Sequence, residues 1–275
     1  MGSVRAFRLQ GDTLTALPIE AATLDEATLQ IEEHGVYSVF RIYAGERVLR
    51  LQRHFERMRQ SAAMLGQPYP ISDEWLRDAV RRAVRASGLQ TSRVRLTVPS
   101  SAPHTALILL EPFDPLPPAL YEQGVRVALA RAHRERPRAK DSHFVEMRNA
   151  LRAEYPDAYE VLLYDERERI LEGTSSNFYA VLGGMLRTAG DGVLEGVARS
   201  ILLEVAPAVL PVYCKPVTLS DLPRLDEAFL TSSSRGVVPI VQIGDVTIGM
   251  GMPGPITLRL RARYDAQVEA ELEPL

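Results

Sequence analysis

Cysteine is almost missing from this chain. Among 275 residues there is one, Cys214, so no intrachain disulfide can form and a cytoplasmic setting is expected. No apolar run approaches the roughly 20 residues that cross a bilayer. The first residues, Met1-Gly2-Ser3-Val4-Arg5, carry no apolar signal region. Neither reading offers a membrane partner. Charge of either sign is not in excess: 32 basic and 35 acidic residues leave a net charge of -3, which gives no basic field for nucleic acid. The histidines, His34, His54, His104, His133 and His143, show no ligand spacing. One cysteine builds no thiolate cage, so no metal site is expected. A GxSxG elbow and a P-loop are both missing.

Lysine is the scarcity with a chemical consequence. The 32 basic residues include only Lys140 and Lys215, and the rest are arginines. Arginine stays protonated and forms no imine, so chemistry that needs a lysine amine has two candidates. What is present is ordinary: 46% hydrophobic and 24% charged residues suit a globular core. The length suits two small domains.

The N-terminal part reads as an α+β mixture. Val36–Tyr43, rich in β-branched and aromatic residues, predicts a strand that Ala44-Gly45-Glu46 turns back into Arg47-Val48-Leu49. Leu51, Phe55, Met58, Ala62 and Leu65 recur at three- and four-residue steps and predict an amphipathic helix. A second helix begins near Ser72, with Asp73 and Glu74 in its first turn, and stops at Gly88. Arg93–Val98 and Thr105–Leu110 read as a strand pair. Phe113-Asp114-Pro115-Leu116-Pro117-Pro118 then breaks the pattern with three prolines in four positions. This places a domain over residues 1–112, a linker over 113–120 and a second domain over 121–275. In the second domain, Val125–Ala130 is a strand and Arg131–Lys140 an arginine-rich loop. Ala158–Tyr164 and Arg169–Leu171 bracket an acidic turn, and Asn177–Leu182 runs into a Gly183-Gly184 hairpin. A helix follows over about Gly196–Val205, strands Ala228–Thr231 and Val237–Val241 flank a serine-rich loop, and a last helix covers about Ile256–Leu272.

Gly249-Met250-Gly251-Met252-Pro253-Gly254 matches the dinucleotide pattern GxGxxG. The helix after it runs to the chain end, so no second strand completes a βαβ unit and no acidic strand-end residue follows. Pro255 explains the segment as a helix start.

A different set of positions fits one job. Pyridoxal 5′-phosphate (PLP) asks a protein for a lysine amine, a carboxylate facing the pyridine nitrogen, a phosphate cup and a substrate pocket. Lys140 ends the loop Arg134-Glu135-Arg136-Pro137-Arg138-Ala139-Lys140, which in isolation reads as a surface lysine. Its context changes the reading, because from about Gly35 to Tyr264 the chain resembles the class IV aminotransferases, the fold type IV group of PLP enzymes. Gly35–Arg41 looks like that family's first active-site strand. His54-Phe55-Glu56-Arg57-Met58 with Ser61-Ala62 looks like its H-x-x-R-L…SA helix. Glu172-Gly173-Thr174-Ser175-Ser176-Asn177 resembles E-G-x-x-S-N, and Gly196-Val197-Ala198-Arg199 resembles G-I-T-R. Phe229-Leu230-Thr231-Ser232-Ser233-Ser234 with Pro239-Ile240, then Gly251 and Gly254-Pro255-Ile256-Thr257, complete the series.

The resemblance implies a two-domain mixed α/β fold, with a small N-terminal α/β domain and a larger C-terminal domain that is β-barrel-like with helices. It makes Lys140 the Schiff-base lysine and sets Glu172 against the pyridine nitrogen. The phosphate would rest on the amides of Val197 and Ala198, with Arg57, Ser233 and Ser234 adding contacts. Tyr37 and Arg41, on one face of their strand, would meet the substrate. It further implies a homodimer acting on an amino acid and a 2-oxo acid. The alternative is an aminodeoxychorismate lyase that eliminates pyruvate. Every named subgroup differs somewhere. Pro99–His104 has a histidine but not the Arg-x-His pair of many D-amino acid aminotransferases. Asp141–Val145 lacks the Asn-Tyr pair common in branched-chain enzymes. No threonine stands near Val39, as it often does in the lyases. Ala198 replaces the family's usual threonine, which removes a hydroxyl but leaves the amide.

Overall fold

A computed structural model describes residues 3–31, 33–133, 139–140 and 144–275. The chain forms two compact units. One is Met1–Asp114 with Ala139–His143 and Glu271–Leu275; the other is Pro115–Arg138 with Phe144–Ala270. The boundaries read from the sequence run without a break, whereas these units interleave, since the chain re-enters the first unit around Lys140 and again at its last residues.

The first unit contains β1 (Arg5–Gln10), β2 (Thr13–Leu17), α1 (Leu24–Ile31), β3 (Gly35–Tyr43), β4 (Arg47–Leu49), α2 (Leu51–Leu65), α3 (Asp73–Ser87), β5 (Ser92–Pro99) and β6 (Thr105–Pro112). Its antiparallel sheet has the order β16-β4-β3-β5-β6-β1-β2, where β16 is the C-terminal Leu272–Pro274. The apolar stripe of α2 is buried as its spacing predicts: Leu51, Phe55, Met58 and Ala62 pack with Val36, Phe40 and Ile42 of β3. Helix α3 starts where Ser72 accepts the Trp75 N–H at 3.2 Å and ends at Gly88, whose φ of 70° suits glycine. Because strand side chains alternate, β3 offers Ser38 to the α2 side and Tyr37, Val39 and Arg41 to the other.

The second unit contains α4 (Pro118–Gln123), β7 (Val125–Arg131), α5 (Phe144–Glu154), β8 (Glu160–Tyr164), β9 (Ile170–Gly173), β10 (Asn177–Leu182), β11 (Met185–Arg187), α6 (Val197–Val205), β12 (Val212–Tyr213), β13 (Glu227–Ser232), β14 (Gly236–Ile243), β15 (Val246–Thr247) and α7 (Pro255–Glu271). Strands β10, β13, β14, β7, β8 and β9 pair in that order, and β9 pairs back to β10, which closes a barrel. Its core includes Val127, Leu162, Phe178, Leu230 and Ile240. Two helices depart from the sequence reading. Helix α4 begins within the expected linker and runs past its end, because Pro118 at the first helical turn needs no N–H partner. Helix α5 went unread although Phe144, Met147 and Leu151 recur at helical steps; of its residues only Val145 and Arg148 are buried. Of the arginine-rich loop, residues 134–138 lie outside the described residues, as do Asp141, Ser142 and His143.

Candidate functional site

In the first unit Tyr37 and, through Ser61, Arg57 are joined to Lys140. Its backbone carbonyl accepts the Tyr37 N–H at 3.2 Å. Its own N–H donates to Ser61 Oγ at 3.0 Å, and that hydroxyl donates to the Arg57 carbonyl at 2.7 Å. Lys140 is therefore held between β3 and α2. Its Nζ lies 4.8 Å from the centre of the Tyr37 ring, and the Arg95 guanidinium lies 3.7 Å from it. Tyr37 is 3% exposed. Arg41 stacks over Tyr43 at 4.3 Å and Phe113 at 4.0 Å. The second lysine, Lys215, is exposed, and its Nζ stands 5.3 Å from the Tyr213 ring.

Arg57 is buried, unlike its neighbours Arg53 and Arg59, whose side chains are 58% and 48% exposed. Helical spacing puts His54, Arg57 and Ser61 on one face of α2. Arg57 Nη2 donates to Ser38 Oγ at 2.7 Å, and Ser38 Oγ lies 2.7 Å from His54 Nδ1. Burial first, then the charges of Arg57 and Lys140, pushes the His54 pKa well below the usual imidazole value.

In the second unit Glu172 and Asn177 are register partners where β9 and β10 close the barrel. Glu172 is 2% exposed, and its Oε2 accepts the Leu194 N–H at 3.1 Å. Asn177 Nδ2 donates to the Leu194 carbonyl at 2.8 Å. Two ends of the E-G-x-x-S-N segment thus grip the loop that enters α6. Gly196 begins that helix with no side chain capping its first turn, which leaves the N-terminal amides near Val197 and Ala198 open to an anion. Arg199 braces α6 from within, donating to Thr188 Oγ1 at 2.7 Å and the Ala189 carbonyl at 2.6 Å. The residues fit a phosphate-bearing cofactor. Helix α7 makes the contrast: Glu227 accepts the Ile256 and Thr257 N–H groups at 3.0 and 2.6 Å. A carboxylate already fills the anion position behind the GxGxxG sequence, and the same side chain occupies the space a Cβ on Gly254 would need.

Ser233 and Ser234, partly buried, follow β13 in a loop fixed by Arg235. Arg235 Nε donates to Ser232 Oγ at 2.9 Å, and its Nη2 meets Glu160 Oε2 at 3.1 Å and Ser175 Oγ at 2.9 Å. Glu160 also accepts from Thr174, Ser175 and Ser176. Burial alone would raise the Glu160 carboxyl, but Arg235 and the hydroxyl donors bring it below the ordinary value of 4.5. Sequence reasoning did not single out Ser38, Arg95, Glu160 or Arg235. Alternation along β3 and β5 could have flagged the first two; Glu160 and Arg235 left no local signal.

A lysine beside an aromatic ring in the first unit, and a buried carboxylate at the barrel seam with an uncapped helix start in the second, are each groups of the kind that PLP chemistry uses. The family Amino-transferase class IV matches residues 35–243, and the chain belongs to this family, whose cofactor is PLP. It is similar to the D-alanine aminotransferase of Listeria monocytogenes, 28% identical across 89% of this chain and 92% of that protein. It is also similar to the structure of the branched-chain aminotransferase of Thermoproteus uzoniensis with norvaline, 25% identical with a TM-score of 0.79 over 99% of each chain. A third likeness is to the structure of a T.th. branched-chain amino acid aminotransferase with pyridoxamine 5′-phosphate, 22% identical with a TM-score of 0.81 over 100% of this chain and 99% of that one. The fold is that of the fold type IV aminotransferases.

Proposed function

We propose that this chain is a PLP-dependent aminotransferase that moves an amino group between an amino acid and a 2-oxo acid, with Lys140 bonding the cofactor. The observation that carries the reading is the contrast between the two lysines. Lys140 is tied by its backbone to β3 and α2 with its amine near Tyr37, whereas Lys215 is exposed. The neutral form of a lysine amine is the one that attacks a carbonyl. When bound, the cofactor supplies an electron sink for the pair left on the substrate carbon. Glu172 holds a proton at the pyridine nitrogen. The Val197 and Ala198 amides, the Ser233 and Ser234 hydroxyls and Arg57 hold the phosphate. Tyr37 and Arg41 face the substrate, with Arg41 offering a fork for a carboxylate. The working assembly is read as a homodimer from the family resemblance, and the compartment as the cytoplasm from the near-absence of cysteine. Among the described residues no helix is long and apolar enough to cross a membrane.

The test is to add single amino acids to the purified holoprotein and follow its absorbance. A donor should shift the cofactor band to that of pyridoxamine 5′-phosphate, and a 2-oxo acid should restore it. A panel of L- and D-amino acids that leaves the spectrum unchanged would overturn the reading.

A further inference from the structure

One nitrogen of the Arg57 guanidinium meets two buried polar side chains. Nη2 donates to Ser38 Oγ at 2.7 Å and lies 3.5 Å from His54 Nδ1. Ser38 Oγ is itself 2.7 Å from that Nδ1. Both polar partners are fully buried, Ser38 at 0% and His54 at 1% exposure. A hydrogen on Nδ1 would face the cation, so the consistent assignment leaves Nδ1 bare and puts the ring hydrogen on Nε2. The Ser38 hydroxyl then donates to Nδ1, which turns a lone pair of its oxygen toward Arg57. Burial together with the charges of Arg57 and Lys140 keeps the imidazole neutral and able to accept. The strand supplies Ser38 and α2 the other two members, so the chain of donors runs from the guanidinium through β3 and back into α2.

We infer that Ser38 and His54 are positioning residues that fix the Arg57 guanidinium in the orientation that binds the cofactor phosphate. This rests on the reading of Arg57 as a phosphate ligand. Neither residue touches the phosphate. Without the relay, Arg57 keeps its charge but loses the fixed end that aims its remaining N–H groups, and a planar fork gains its strength from being aimed.

The discriminating pair of variants is at His54, which also packs on Phe40 with ring centres 5.2 Å apart. His54→Phe keeps a ring for packing and removes the acceptor. His54→Asn removes the ring and keeps an acceptor oxygen near the place of Nδ1. Full-length protein stripped of cofactor is titrated with PLP and, separately, with pyridoxal, which has no phosphate; melting temperature is recorded alongside. His54→Phe and Ser38→Ala should each weaken PLP about tenfold, the size of one lost hydrogen-bonded contact, while pyridoxal affinity stays unchanged. His54→Asn should bind PLP within about threefold of the parent although it melts lower, since it loses packing but keeps the acceptor. A role in packing alone reverses the order, with His54→Phe binding normally and His54→Asn binding worst; that result overturns the inference and leaves the aminotransferase reading standing. Loss of PLP and pyridoxal affinity in equal proportion overturns it as well. If the parent protein itself binds pyridoxal as tightly as PLP, the phosphate reading of Arg57 fails, and the relay with it.

Discussion

Glu172 occupies a position where a carboxylate costs little to orient and much to remove. It sits at the β9–β10 seam, 2% exposed, with its Oε2 engaged by the Leu194 N–H. Glu172→Gln keeps a side-chain oxygen to accept that N–H, so the loop before α6 should persist. What it loses is the negative charge that, in the proposed role, would hold a proton at the pyridine nitrogen. That charge matters most as the substrate carbon gives up its proton, so kcat should fall by roughly 10²-fold, the size of one preorganised electrostatic contact, while KM moves far less. Steady-state kinetics with cofactor occupancy checked by absorbance decides the matter; an unchanged kcat in a fully loaded variant would remove Glu172 from its role. The two-lysine chemistry gives a second check at this scale. Borohydride treatment should attach the cofactor to Lys140, and peptide mapping that finds it on Lys215 would reassign the site.

Among elements, the loops 174–176 and 232–234 have no regular structure of their own beyond the strand end at Ser232, and the Glu160–Arg235 pair is what fixes them to one another. Glu160 is buried and Arg235 partly so, with side chains 0% and 16% exposed. Arg235→Met should leave the Glu160 charge without its cation and destabilise the protein by about 3 kcal/mol at neutral pH. The pH dependence follows from the sign of the Glu160 shift. In the parent its carboxyl is held below 4.5, so its contribution is present above that pH and fades as pH falls through the lower folded value. In Arg235→Met the largest lowering influence is gone while the hydroxyl donors and Arg152 remain, so the carboxyl takes up a proton at a higher pH than in the parent and the variant relaxes on protonation. The melting-temperature gap between parent and variant should therefore narrow from pH 7 toward pH 4; a gap that widens contradicts the assignment. Elements with a strong period were legible in the sequence: β3, the α2 stripe and α3 with its Ser72 cap lie where their patterns put them, and the start of α6 is fixed by Gly196. Elements without a period were not. Helix α4 hides behind prolines, and β16 is a three-residue edge whose partner β4 is far away in sequence. The site shows the same division. Residues in contiguous segments, such as Arg57 and Glu172, could be picked out by resemblance, whereas Glu160 and Arg235 matter through a pairing that only the closed barrel creates.

At the scale of the whole molecule the two units cannot be cut apart at the proline-rich segment. The last residues complete the first unit: Glu271 pairs with Arg50, Glu273 accepts the Leu51 N–H at 3.0 Å at the start of α2, and the Leu275 carbonyl takes two bonds from Arg81 at 3.0 and 2.9 Å. The helix that carries His54, Arg57 and Ser61 thus depends for its N-terminal cap on residues more than two hundred positions later. The resemblance to class IV aminotransferases implies that a loop of a second subunit completes the cofactor pocket, and closed two-fold dimers are the commonest symmetric assembly. The net charge of -3 is small enough that self-repulsion does not oppose pairing. Light scattering on the eluting active fraction should give twice the chain mass of 30.5 kDa, and dilution that drives the protein to single chains should lower specific activity in step with the dimer population. Full activity in a fraction whose mass is that of one chain would mean that each chain completes its own pocket.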